Sequence, residues 1–328
     1  MKKPSVVIFI IMLIPCFLIL LNNKGVSSKI EYNIVFKQKL SEYGLYQGKI
    51  SELKPCDQAV NIEIVSALFT DYAKKQRIIL LPNNKKMIAK GSGLPDFPEG
   101  TIIAKTFFYP NNSKATTRSI LETRLLIKNK SQWNAATYKW NNTQDEAFLI
   151  ENGAKVPVKF LDKNGNHKKI EYKIPSKGDC IACHRQNDHI FPIGPKLRNL
   201  NKIVNYKERD INQLEYLKQK GKLEITDIAK IESVVDYSNT SESIENRARA
   251  YLDINCAHCH NPNGIAFITQ MDLRIETPTA YTGIWMKQGK IAMRMSMLGE
   301  LHMPKIGTTI IHDEGLKLVL DYIHNLKE

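Results

Sequence analysis

The chain has no internal repeat of fixed period, which excludes a solenoid built from stacked identical units. It has no concentrated block of basic residues either, although 47 Lys and Arg face only 33 Asp and Glu, for a net charge of +14. Lysines scattered in this way make a well-solvated surface, and their surplus suits an acidic redox partner or anionic lipid. The compositional skew of disordered or collagen-like chains is also missing, since 43% hydrophobic and 24% charged residues are ordinary globular values. At 328 residues, two or three compact units are expected.

What is present begins at the N-terminus. Lys2 and Lys3 precede an apolar run from Ser5 to Leu21, broken only by Pro15 and ended by Asn22 and Asn23. As a helix the run would span roughly 25 Å, slightly short of a bilayer core. It is an export signal or an N-terminal membrane anchor. Val26-Ser27-Ser28 offers small residues for cleavage and a mature start near Lys29; an uncleaved run would keep the protein on the membrane. Cys16 follows Pro15, the wrong neighbour for lipid attachment. The two leading lysines send the remainder out of the cytoplasm, to the periplasm or cell envelope, which argues against a nucleic-acid partner.

From Lys29 to Ser176 the pattern is mostly that of strands. After an expected helix around Asn61 to Lys75, short apolar stretches run from Arg77 to Leu81, Thr101 to Tyr109, Ile120 to Lys128, Ala135 to Trp140, Ala147 to Ile150, Val156 to Leu161 and Lys169 to Ile174. Turn residues such as Pro110-Asn111-Asn112 and Asn164-Gly165-Asn166 separate them, which predicts an antiparallel sandwich. Leu121, Thr123, Leu125 and Ile127 should share one face, opposite Glu122 and Arg124. Beyond Pro175, helices are expected over Asn212 to Lys222, Ser243 to Asn255 with a serine cap, and Glu314 to Leu326.

Cys180-Ile181-Ala182-Cys183-His184 and Cys256-Ala257-His258-Cys259-His260 are two C-x-x-C-H motifs. Covalent haem attachment needs each part: two thiols spaced to meet the vinyl groups on one haem edge, and an adjacent imidazole to reach the iron. A zinc ribbon would place its cysteine pairs roughly 15 to 20 residues apart, whereas 72 residues separate Cys183 from Cys256. A redox C-x-x-C pair needs no following histidine. With 8 histidines in the chain, finding one after both pairs by chance has odds of about 1 in 1,700. Two covalently bound haem c groups are therefore expected, on Cys180 and Cys183 and on Cys256 and Cys259, with His184 and His260 as iron ligands. Cys56 has no evident partner.

From Ser241 onward the chain resembles a class I cytochrome c. Arg249-Ala250-Tyr251-Leu252 leads into C-x-x-C-H, Met303-Pro304 follows, and Val319-Leu320-Asp321-Tyr322-Ile323 sits in a terminal helix. The resemblance implies that the first and last helices cross and that Met303, 43 residues after His260, is the sixth iron ligand of the second haem. Gly194-Pro195-Lys196-Leu197 is similar to the family loop whose carbonyl accepts the proximal histidine's second N–H. For the first haem the family pattern breaks, because no methionine lies between His184 and Cys256. The outcomes left open are a ligand from elsewhere (Met87, Met293, Met295, Met297, His189 or His258), water, or an open iron.

The whole arrangement also resembles a bacterial family of envelope two-haem c-type cytochromes with a β-rich N-terminal part. The matching segments are Leu68 to Lys75, Phe97 to Thr101, Lys105 to Phe108, Glu122 to Leu126, Gly194 to Asn201 and Arg247 to Leu252. The expected architecture is α+β and multidomain. Residues 1–28 are signal peptide or anchor, and 29–175 an antiparallel β-sandwich-like domain. Residues 176–238 carry the first haem and 239–328 form a class I cytochrome c-like domain with the second, the haem region being mainly α-helical.

Electron transfer between redox partner proteins is the leading expectation, more that of a carrier than of a catalyst. The alternative is a two-haem peroxidase or oxidoreductase with an open first haem, although no distal acid–base pair is visible. A third reading makes Trp133, Tyr138 and Trp140 a contact patch on a binding module, which would require those rings to be exposed.

Overall fold

The computed structural model describes residues 34–111, 118–162, 165–206 and 209–326. The apolar N-terminal run, Cys16 and the cleavage segment before Lys29 lie outside the described residues. Among those described, no helix is long and apolar enough to cross a membrane.

Nine strands dominate the first half: β1 (Ala59–Asn61), β2 (Lys74–Leu80), β3 (Met87–Ile88), β4 (Ile102–Pro110), β5 (Arg118–Asn129), β6 (Gln132–Trp140), β7 (Ala147–Ile150), β8 (Ala154–Leu161) and β9 (His167–Ile174). Six form one antiparallel sheet in the order β1-β2-β4-β5-β6-β7, while β8 and β9 make a separate hairpin. The sandwich expectation is thereby corrected: this is one large sheet with a hairpin beside it. The apolar runs fall on the strands because alternation at period two buries one side chain in every two on each face.

Both faces of the sheet are covered. Leu40, Leu45 and Leu53 from the segment before β1 pack on Ile78, Leu125, Ile127 and Tyr138. The opposite face receives residues from the first C-x-x-C-H segment, so that Ile103, Trp133, Cys180, Leu197 and Leu214 share one core. Glu122, expected opposite the apolar face, is consequently buried too, and Arg124 beside it is half-buried. Leu121 departs from the expected alternation. Phe107 pairs with Glu122 and Phe108 with Ile120, leaving Leu121 as the extra residue of a β-bulge. The bulge turns Leu121 into the cluster containing Phe107, Phe160 and Tyr172.

The helix expected around Asn61 to Lys75 is absent. Its backbone donors are claimed by distant acceptors: Val65 and Ser66 bond Asn199, and Phe69 bonds the Asn255 side chain at 2.7 Å. Asp71 and Tyr72 adopt positive φ, which ends any helical run. Trp133, Tyr138 and Trp140 are 8%, 0% and 3% exposed, so they are core residues and the contact-patch reading falls.

The second half has six helices: α1 (Lys177–His184), α2 (Leu197–Leu200), α3 (Gln213–Gln219), α4 (Ile244–Asn255), α5 (Ile284–Ser296) and α6 (Asp313–Asn325). A mainly α-helical cytochrome c region is contradicted. The helices are short, account for well under half of the segment, and are separated by irregular loops and two-residue or four-residue strands. Most of this part is held by side-chain bonds to loops and by packing on the sheet, which is why local periodicity over-reads helix here. Ser243 caps α4 as expected, accepting from the Asn246 N–H at 3.1 Å. Helices α4 and α6 pack with Tyr251 and Tyr322 buried between them. Gly315 sits at their closest approach, where a Cβ would overlap the Tyr251 phenol.

Candidate functional site

Helix α1 is nucleated by a reciprocal cap: Ser176 Oγ accepts from the Asp179 N–H, and Asp179 accepts from the Ser176 N–H at 3.0 Å. Helical spacing then places Cys180, Cys183 and His184 on one face, at i, i+3 and i+4. Cys180 lies against the sheet, with its Sγ 3.5 Å from the Thr137 hydroxyl on β6. His184 Nδ1 donates to the Phe191 carbonyl at 2.7 Å, and the Phe191 N–H returns a bond to the His184 carbonyl at 2.9 Å. The acceptor is thus Phe191, just ahead of the Gly194-Pro195 loop expected to provide it. Nε2 is the nitrogen left free.

The second motif continues from the end of α4. Cys256 closes the helix through its N–H to Leu252, and Cys259 and His260 both donate to the Cys256 carbonyl in the next turn. His260 Nδ1 lies 3.0 Å from Thr269 Oγ1, whose own proton goes to the Ala266 carbonyl at 2.7 Å. The hydroxyl can therefore only accept from His260, which fixes the Nδ1–H tautomer and again frees Nε2. Gly264 is needed beneath this turn, because a Cβ there would overlap the Cys259 carbonyl.

The two motifs, distant in sequence, meet in space. Cys183 has Cys259 and His258 as close neighbours. The loops that follow them are joined as well, through the Asn187 N–H and the Asn263 carbonyl at 2.9 Å. Lys196 forks onto the buried Asp253 carboxylate of α4 at 3.1 Å from both oxygens, tying the Gly194-Pro195 loop to the second motif.

A cavity of about 1130 Å³, its open mouth included, lies beside the first motif. It is lined by Cys180, Cys183 and His184, by apolar side chains such as Ile103, Ile193 and Ile254, and by His258. Burial pushes the His184 imidazole down to about 4, with the charges of His258, Lys105 and Arg124 adding to the effect, so the ring is neutral. Burial likewise raises the Cys180 thiol and takes Cys256 up to about 12. The Cys183 thiol is raised first by its bond to Cys259 and then by burial, and Cys259 is lowered by the same bond.

Met303 is half-buried, and its N–H bonds the Arg294 carbonyl of α5 at 2.9 Å. The His260 ring is held below its ordinary value chiefly by burial, then by the charges of His258 and Arg294. His302 is not a free donor: its nitrogens lie 2.7 Å from the Met297 carbonyl and 3.2 Å from the Thr308 hydroxyl. His312 stacks on Phe69 at 4.0 Å and bonds Tyr251, which takes it out of contention as a ligand. Pro304, Ile306 and Gly307 of the same loop wall the first cavity. Asp71 anchors that loop by accepting from the Thr309 N–H at 2.8 Å and from its hydroxyl at 2.8 Å.

Of the ligands considered for the first motif, Met87 is sealed in the core, His189 is exposed, and only His258 lines the cavity. Three cavity residues were not singled out as site residues from the sequence: Arg77, Lys105 and Arg124. Their signal was a charge in the middle of an otherwise apolar strand, as in Ile102 to Tyr109. The five described cysteines are unbridged, and no group of three or more His, Cys, Asp or Glu among the described residues is gathered to hold a metal ion on its own. Comparison with protein-family models, with curated proteins and with solved structures found no match.

Proposed function

We propose that this chain is an exported two-haem c-type cytochrome that passes electrons between partner proteins in the cell envelope. The observation that carries the reading is the meeting of two C-x-x-C-H motifs at Cys183 and Cys259, each with its histidine Nδ1 anchored and Nε2 free. When bound, each haem supplies a one-electron couple whose potential follows ligand, burial and hydrogen bonding. The donor set fits that group. Each motif sets two unbridged thiols beside an imidazole that burial keeps neutral, the set that covalent attachment and iron ligation need.

The chain's own residues hold and orient. Cys180, Cys183, Cys256 and Cys259 would tether the two groups, from motifs that meet at Cys183 and Cys259. Phe191 and Thr269 fix the rings of His184 and His260 and raise their basicity as ligands. Met303 is the residue that would complete the second site, and a methionine there would raise its potential relative to a bis-histidine centre. Near that site, Phe267, Ile268, Trp285, Met286 and Met293 are exposed, apolar surface that a macrocycle would cover in part. The lysine-rich surface suits an acidic partner, and the likeness to envelope two-haem cytochromes points the same way.

Intact mass of the mature protein tests the tethering, with two haem increments expected. Carbon monoxide added to the reduced protein tests the function: no binding supports electron transfer. The first cavity has no methionine among its lining residues, which favours a second reading in which that site is open to a small oxidant. Binding by about half the haem would put that reading first.

A further inference from the structure

The first cavity carries a charge imbalance. Arg77, Lys105 and Arg124 are register partners on the adjacent strands β2, β4 and β5, and all three line the cavity. Like charges directly opposite on a sheet repel, and burial removes the water that would screen them. Arg124 has its counter-ion, donating two bonds to the fully buried Glu122 carboxylate at 2.5 and 2.8 Å. Lys75, on the same face, gives its ammonium to the Leu68 carbonyl at 3.0 Å. Arg77 and Lys105 have no such partner among the described residues. One Arg77 Nη is buried without a hydrogen bond, and Glu63, the acid that Arg77 feels, bonds Lys202 instead. The Lys105 ammonium rests over the Phe107 ring at 4.9 Å. Burial lowers both groups, Arg77 to about 10, as expected of cations without an anion.

The order of the row gives it a direction. Thr137 on β6 is the register partner of Arg124, and its hydroxyl touches Cys180. Starting at Cys180, the row therefore runs Thr137, Arg124, Lys105, Arg77. At the strand spacing of about 4.8 Å, Lys105 lies roughly 10 Å and Arg77 roughly 14 Å from Thr137. A haem tethered through its vinyl edge presents both propionates at the opposite edge, so attachment at Cys180 sends them toward the unpaired end of the row. Two carboxylates match two unpaired cations.

We infer that Arg77 and Lys105 hold the two propionates of the haem tethered at Cys180 and Cys183; the inference rests on the two-haem reading above. Each ion pair would be charge-assisted and shielded from water, which fixes the tilt of the ring and favours the reduced iron by keeping positive charge beside the propionates.

The test uses the full-length holoprotein after intact mass has counted its haems. Arg77→Gln and Lys105→Met are compared with Arg77→Lys and with the exposed control Lys168→Gln. Redox titration assigns the first haem as the wave that Met303→His leaves in place. The expected result is a downward shift of that wave in Arg77→Gln and Lys105→Met, with shifted propionate bending bands by resonance Raman. Arg77→Lys should restore most of the shift, and Lys168→Gln should show none. Unchanged wave and bands with both haems present would overturn this inference alone. A first haem that turns high-spin and binds carbon monoxide in Lys105→Met would also overturn it, because Lys105 would then be an iron ligand. A chain with no haem on Cys180 and Cys183 would overturn the two-haem reading with it.

Discussion

The two C-x-x-C-H sites share a motif and differ in almost everything around it. The first is built into the sheet: its cysteine packs on β6, its cavity is walled by four strands, and a buried ion pair partner, Glu122, stands beside it. The second is built from a helix end and loops, with Phe267, Ile268, Trp285 and Met286 between 56% and 80% exposed. The difference teaches that the motif sets only the spacing of two thiols and an imidazole. Enclosure and charge are supplied by whatever packs on top. An enclosed site with fixed charges suits a centre whose potential is set by the protein, and an open apolar site suits exchange with a partner.

The comparison can be broken most forcefully at the first site. Arg124→Met strips the counter-ion from Glu122, which has no exposure, and should cost about 3 to 5 kcal/mol in chemical denaturation while loosening the first haem. If stability is unchanged, the charged face is not an integral part of the core. Asp71→Ala removes the carboxylate that holds Thr309, with an expected loss of about 1.5 to 3 kcal/mol. Since the held loop faces both sites, its optical spectrum should change at both haems.

Gly315→Ala presses a methyl group into Tyr251 where α4 and α6 cross and should cost about 1 to 3 kcal/mol, confined to the second site. An equal effect on the first haem would show that the sites unfold as one. Met303→Ala should change stability by under about 1 kcal/mol, since the side chain is only half-buried, yet make the second haem bind carbon monoxide. The smallest effect belongs to Trp285→Ser: stability should stay within about 0.5 kcal/mol, while electron exchange with an acidic partner slows.

β2 and the strands from β4 to β9 were legible because period-two alternation is a local signal, the bulge at Leu121 shifting its phase; β3 was not, since it forms only by pairing with the distant Leu223 and Glu224. The helix expected at Asn61 to Lys75 was not, because Asn199 and Asn255, far along the chain, take its backbone donors. The same reason limited the second half, where the mainly helical expectation gave way to loops held by long-range bonds. Burial of Trp133, Tyr138 and Trp140 likewise depended on a segment arriving from elsewhere.

By itself the sequence determined the two C-x-x-C-H motifs and the proposal of tethers and proximal histidines, since two thiols and an imidazole within five residues carry their chemistry wherever the chain goes. The tertiary structure alone decided that Cys183 and Cys259 touch, that His258 enters the first cavity, and that Arg77, Lys105 and Arg124 stand in a row there. Those are contacts between residues tens of positions apart. No local spacing encodes them, and packing and the pairing of strands bring them together.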